Sequence, residues 1–250
     1  MLAEHFGAIE GASIDANKGA YSSAWMIIFA VIAAVMVLLG LYHIKMLPST
    51  QVPATGKKTT SEIMQDLVNV IGNFFTKKHI VYYIFFIILY RLAEGFIMKV
   101  APLFLRASRE VGGLGLSLTE IGTLNGVFGS AAFVIGSLLG GIFVARYGLK
   151  KTLFMLCCVF NLPFLAYTFL AVVQPTSLYL IGTCITMEYF GYGFGFVGLT
   201  LFMMQQIAPG KHQMSHYAFA SGIMNLGVML PGMILSLIHI SEPTRRVVIS

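Results

Sequence analysis

Two uncharged runs of 22 residues, Thr123–Val144 and Thr152–Val173, stand on either side of a short basic stretch. A helix needs about 20 apolar residues to cross a hydrocarbon core of about 30 Å, so each run is long enough to span a bilayer. The joining stretch, Gly140 to Lys151, carries Arg146, Lys150 and Lys151 and no acidic residue. Cytoplasmic loops of membrane proteins retain short Lys/Arg clusters of this kind. The pair reads as a membrane hairpin with its tip in the cytoplasm. Gly140 and Gly141, just before the tip, are expected to let two helices approach closely.

Six apolar segments can be marked by helix-spanning length and scarcity of charge: Ala24–Tyr42, Ile80–Leu105, Gly122–Ala145, Thr152–Val173, Leu178–Ala208 and Tyr217–Ile238. None alternates apolar and polar residues as an outer-membrane barrel strand would. The chain is 57% hydrophobic and 10% charged, against roughly 25% charged in soluble domains. Lipid must therefore supply most of its solvent, and the expected fold is an all-α integral membrane protein with six transmembrane helices. A net charge of +6 raises the question of nucleic acid. The basic residues sit in inter-helix loops, however, where orientation and anionic headgroups account for them, and no nucleic-acid partner is expected. Cys157, Cys158 and Cys184 all lie within apolar runs without metal-site spacing. Neither a metal nor a cofactor is expected, and His212 and His216 read as headgroup contacts.

Lys and Arg in alternate loops set the orientation. One side receives nine, Lys45, Lys57, Lys58, Lys77, Lys78, Arg146, Lys150, Lys151 and Lys211; the other receives four, Lys18, Lys99, Arg106 and Arg109. The richer side is expected to be cytoplasmic, which places residues 1–23 in an extracytoplasmic loop and 24–43 in a spanning helix. Residues 1–23 carry Glu4, Glu10 and Asp15 and lack the apolar core of a signal peptide. Residues 44–79 read as a cytoplasmic linker, opening with Pro48, Pro53 and Gly56. From Ser61, a candidate cap, Ile63, Leu67, Val70, Ile71 and Phe74 recur on one helical face, with Asp66, Asn69 and Asn73 elsewhere. This predicts an amphipathic helix on the membrane surface; a packed loop helix is the alternative.

Packing motifs are frequent. Gly136 and Gly140 form a small-xxx-small pair, with Gly122, Gly126 and Gly129 on the same helix. The glycines of Gly191–Gly198 follow no strand and carry no P-loop lysine, so they read as close-contact or bending points rather than a nucleotide loop.

Ionisable residues inside spanning segments cost at least about 2.5–3.5 kcal/mol each on insertion scales, and so face a protein interior or a wet path. Arg91 and Glu94 lie three apart on one face of the second run. Glu188 lies in the fifth, with Thr186, Tyr189 and Tyr192 around it and no basic partner in its own helix. Either Glu188 reaches Arg91 across the bundle, or it is protonated during part of a working cycle. Glu188 and then Glu94 are the candidate proton-coupling groups. Arg91 would hold an anionic substrate or neutralise the empty site; its alternative is an ion pair with Glu94 that only tethers helices. Asn125 is a further cavity-lining candidate. No Ser-His-Asp set, HExxH or CxxC appears, so no catalytic residues are expected.

The basic hairpin resembles the G-x-x-x-D-R-x-G-R-K loop signature of the major facilitator superfamily, with Gly141, Arg146, Gly148 and Lys150 in matching positions. Ala145 stands where the acid belongs and Leu149 where a second base belongs, which favours the degenerate copy between helices eight and nine. A lone helix, a long linker and a five-helix run are then similar to helices six to eleven of a twelve-helix carrier. The stretches Tyr90–Gly95, Ala101–Leu105 and Gly115–Gly122 resemble the AmpG-like muropeptide permease branch. The resemblance implies a proton-driven carrier importing a small solute, peptidoglycan-derived muropeptides among them, across a bacterial inner membrane. Residues 24–43 would be the last helix of an N-terminal bundle otherwise missing, and 80–234 five helices of the C-terminal bundle. Its partners would be substrate, protons, lipid and that missing bundle. The competing class is a six-helix membrane-embedded enzyme or regulatory membrane protein. Residues 235–250 look like a translated sequencing adapter, with native sequence ending near Ile234.

Overall fold

The computed structural model describes residues 5–7, 14–46 and 59–241. The predicted Pro/Gly-rich linker start and the last nine residues of the suspected adapter tail lie outside them. The chain divides into two compact units, Met1–Thr59 and Thr60–Ser250.

The first unit contains one long helix, α1 (Ile14–Met46). It begins well before the apolar run, so the expected loop at residues 14–23 is helical. Extending a formed helix costs little per residue, and Ile14–Ser23 contains no proline to stop it. Trp25 and Phe29 stack one turn apart at 5.7 Å, and the outward apolar side chains of α1 are largely exposed.

The second unit opens with α2 (Thr60–Phe75) and α3 (Ile80–Arg106). Helix α2 starts one residue before the predicted cap, which puts Ser61 in its first turn, an ordinary margin for a helix end. A short helix α4 (Leu118–Thr123) follows, continues through a π-helical turn at Leu124–Gly129 and becomes α5 (Ser130–Tyr147). Ser117 caps α4, accepting from the Glu120 backbone while Glu120 Oε2 accepts from the Ser117 N–H at 2.8 Å. After α5 come α6 (Leu149–Asn161), a 3₁₀ turn at Leu162–Phe164 containing Pro163, and α7 (Leu165–Val173). The last two helices are α8 (Leu178–Phe202), which ends in a π turn at Met203–Ile207, and α9 (Gln213–Ser241). Helix α9 runs on through the first residues of the suspected tail.

Five described helices are long and apolar enough to cross a membrane: Asn17–Met46, Ile80–Arg106, Leu118–Tyr147, Leu149–Val173 and Gln213–Leu237. The predicted fifth span, Leu178–Ala208, is not among them. It is helical throughout its length, but Glu188, its tyrosines and its glycines dilute its apolar character. This helix has the least need of lipophilic side chains, because α8 packs between α5 and α6 and buries ten of its residues. Helix α3 pairs with α9.

The predicted basic loop is shorter than expected. Gly140–Tyr147 and Leu149–Lys151 are helical, and Gly148 alone breaks the path with φ 81°. A left-handed backbone is inexpensive only for glycine. The glycine pair before the turn also acts differently from the hairpin expectation. Gly140 meets the α8 backbone at Phe194, with 2.5 Å between its would-be Cβ and the Phe194 carbonyl oxygen, whereas Gly141 faces open space. Gly122 and Gly126 likewise touch nothing. The working contacts are Gly129, Gly136 and Gly140 against Tyr189, Phe190 and Phe194, with Gly193 returning against the Phe133 carbonyl. On the other side of α8, Gly191 and Gly195 face the Val159 and Leu156 carbonyls of α6, where an added Cβ would come within 2.6 Å of each oxygen.

Side-chain clasps join the loops at the two ends. Arg109 donates to the carbonyls of Gln174 and Pro175 at 2.9 and 2.8 Å. At the opposite end Lys77 donates to the carbonyls of Ile207 and Pro209, and its partial burial pulls the ammonium below the ordinary lysine value.

Because a Cβ at position 193 would collide with the Phe133 carbonyl, Gly193→Ala is expected to destabilise the detergent-solubilised chain by about 1–3 kcal/mol. Gly141→Ala, in open space, should leave the thermal midpoint unchanged or slightly raised; equal midpoints for both variants would contradict the α5–α8 packing.

Candidate functional site

The charges predicted to lie inside spanning helices converge on one small cavity. Helix α3 turns Arg91 and Glu94 to the same side, and both are buried, at 7% and 3% exposure. Arg91 Nε donates to Glu94 Oε2 at 2.7 Å and its Nη2 to Oε1 at 2.5 Å, a two-pronged pair. The guanidinium also lies 5.2 Å from the centre of the Phe196 ring of α8. Its charge is thus neutralised on one side and faces a π cloud on the other, the arrangement that makes a guanidinium tolerable away from water. The pair lies within one helix, so it does not tether two. Besides the Arg91–Phe196 contact, α3 meets α8 through Tyr90, whose hydroxyl donates to the Gly195 carbonyl at 2.8 Å, and through Tyr83 and Phe86, whose rings pack on Phe202.

Glu188 of α8 is 7% exposed and opens into the same cavity as Glu94. It does not reach Arg91, which Glu94 occupies; among the described residues no cation lies within ion-pair distance of Glu188. The cavity measures about 210 Å³, and its polar wall is Glu94, Asn125, Tyr167, Glu188, Tyr189 and Tyr192. Asn125 sits in the π turn between α4 and α5, and its buried Oδ1 has no hydrogen-bond partner. The Tyr192 ring is held at 5.0 Å from Phe133 and 5.5 Å from Phe160, so packing on α5 and α6 sets its direction. The wall offers mainly acceptors and phenol groups, a lining suited to protons or to a ligand with hydrogen-bond donors.

The structure therefore brings Arg91, Glu94, Glu188, Asn125, Tyr189 and Tyr192 together. Thr186 departs from the group and lines a separate apolar groove of about 890 Å³ between α8 and the α4–α5 segment. Sequence reasoning passed over Tyr167, whose one signal was a phenol in an apolar run just after Pro163. The signature residues Gly141, Arg146, Gly148 and Lys150 lie at the α5–α6 turn and contribute nothing to the cavity wall. His216 also differs from expectation: it is buried at 3% exposure, with Nε2 3.3 Å from the Val70 carbonyl, rather than turned to headgroups. Cys157, Cys158 and Cys184 are free thiols, and among the described residues no three His, Cys, Asp or Glu side chains converge.

Long apolar helices with paired charges buried around a polar cavity define a multi-pass membrane protein. The profile described as Major Facilitator Superfamily matches residues 2–236, and the chain belongs to that family. It is similar to the Anhydromuropeptide permease of Escherichia coli (strain K12) and to that of Escherichia coli O157:H7. Each is 24% identical over 168 residues, which cover 67% of this chain and 33% of the relative. The matched stretch thus spans about a third of the length of these relatives. The family is one of transporters, which sets aside the membrane-enzyme alternative.

Removing one partner of the buried pair strands the other. Glu94→Gln should destabilise the chain by about 3–5 kcal/mol in a thermal or denaturant melt, and Arg91→Met combined with Glu94→Leu should recover most of that loss. A double variant as unstable as the single one would show that the pair does not act as a unit.

Proposed function

We propose that this chain is the C-terminal portion of a proton-coupled secondary transporter that imports a small solute across a bacterial inner membrane. The observation that carries the reading is Glu188: a buried carboxylate without a cation partner among the described residues, sharing a cavity with a carboxylate that has one. Such a group can take a proton from one side and release it to the other as access alternates. Glu94, held by Arg91, is the second coupling group, and Arg91 keeps the empty site close to neutral. Asn125, Tyr189 and Tyr192 then orient solute beside the carboxylates. The muropeptide class is the first substrate to try, because the permeases to which this chain is similar are named for it.

The same reading assigns the layout. Helix α8 is the fifth of six spans, made tolerable by the helices around it, and α1 is the last helix of an N-terminal bundle that would supply the other wall of the cavity. Residues 80–234 are then five helices of the C-terminal bundle, with the nine-cation face in the cytoplasm.

The test is transport by the completed carrier in proteoliposomes. Glu188→Gln should abolish uptake driven by a proton gradient while sparing substrate exchange at equal pH. Gradient-driven uptake at the unaltered rate would overturn the assignment. Labelled anhydro-muropeptides set against sugars and nucleosides would settle the substrate class.

A further inference from the structure

Helix α2 is only half accounted for by the bundle it joins. Its apolar arc runs along one side through Ile63, Leu67, Val70, Ile71 and Phe74, and Gln65, Asn69 and Asn73 lie opposite. The C-terminal end of the arc is docked. Phe74 is fully buried, with its ring 5.7 Å from His216 and 5.6 Å from Phe219 of α9, and His216 approaches the Val70 carbonyl. The N-terminal end is bare: every residue from Thr60 to Asn69 is exposed, and Ile63, Met64 and Leu67 are each more than half accessible. The helix therefore overhangs the edge of the bundle, and its apolar side continues past the last contact.

Two observations indicate what covers that side. The docking point lies at the first turns of α9 and α3, where Ile80 is buried and two membrane-length helices begin. An arc continuous with Phe74 is thus carried outward beside the starts of two membrane-length helices. The charge at the same place is positive: Lys77 is tied to the Ile207–Pro209 turn, and Lys78 and Lys211 stand exposed beside it. The sequence adds Lys57 and Lys58 just before α2.

We infer that the exposed apolar half of α2 lies in the headgroup region of an anionic bilayer, seated by Ile63, Met64 and Leu67 and drawn there by the neighbouring lysines. Binding of this kind combines buried apolar area with attraction to anionic lipid, so it depends on both the face and the lipid charge.

The full chain reconstituted into vesicles tests this directly, because its single tryptophan, Trp25, can be replaced by Phe. Leu67→Trp or Met64→Trp then places an indole on the apolar face, and Asn69→Trp places one opposite. In phosphatidylcholine–phosphatidylglycerol vesicles, brominated lipid should quench the first two several-fold more than the third, and aqueous iodide should do the reverse. Quenching of the Leu67→Trp indole by brominated lipid should fall in phosphatidylcholine alone, and also in a Lys78→Gln, Lys211→Gln background. Iodide reaching all three positions equally would overturn the inference by placing the face in water. An indole at 64 and 67 shielded from both quenchers would overturn it in favour of a protein cover.

Discussion

Within a bilayer, apolar surface gains little by leaving lipid, so helices associate through close backbone contact and polar bonds. In this chain that contact is concentrated on α8. Gly193 meets the Phe133 carbonyl on one side, while Gly191, Gly195 and Gly198 receive α6 on the other. Ser137 adds a hydrogen bond to the Gly193 carbonyl at 3.2 Å and Tyr90 one to Gly195 at 2.8 Å. Three neighbouring helices are thereby referred to one axis. A side chain at Gly191, Gly193 or Gly195 would meet a backbone carbonyl, where no rotamer change gives relief, and one at Gly198 would meet the Leu156 side chain.

The position of the charges follows from that axis. A helix screened by α5, α6 and α3 can hold a carboxylate that a lipid-facing helix could not, and Glu188 lies in that screened stretch. Arg91 and Glu94 solve the same problem differently. They satisfy each other within one turn of α3, and Phe196 of α8 closes over the guanidinium. Two carboxylates thus share a cavity in unequal states, one held by a fixed cation and one without. The proposed proton coupling rests on that inequality.

Much of the fold could be read from the residues because its signals are strong and one-dimensional. Apolar length located α3, α5, α9 and the α6–α7 run within a few residues, and the cost of intramembrane charge singled out Arg91, Glu94 and Glu188. The errors came where a residue's meaning depends on a partner not adjacent in sequence. Gly140 and Gly141 look equivalent in the chain, yet only Gly140 faces α8. Thr186 and Tyr189 both flank Glu188, but three residues of helical rotation send one into a lipid-side groove and the other into the cavity. His216 sits beside a loop in the sequence, and only the docking of α2 buries it.

The π turn at Leu124–Gly129 connects packing to the site. In an α-helix, residues five apart point well away from each other, since a turn takes 3.6 residues. Leu124 and Gly129 are five apart, and yet both face α8, Leu124 against Gly182 and Gly129 against the Tyr189 ring. A π turn, with its i→i+5 hydrogen bonding, brings such residues onto one side. The α4–α5 segment can therefore follow α8 continuously from Gly182 to Phe194. The residue after Leu124 is consequently turned off the packed face and into the cavity. Asn125 comes by this route to line the cavity with Glu188 and Tyr189, and its unpaired Oδ1 is the local cost of a helix that keeps its grip on α8.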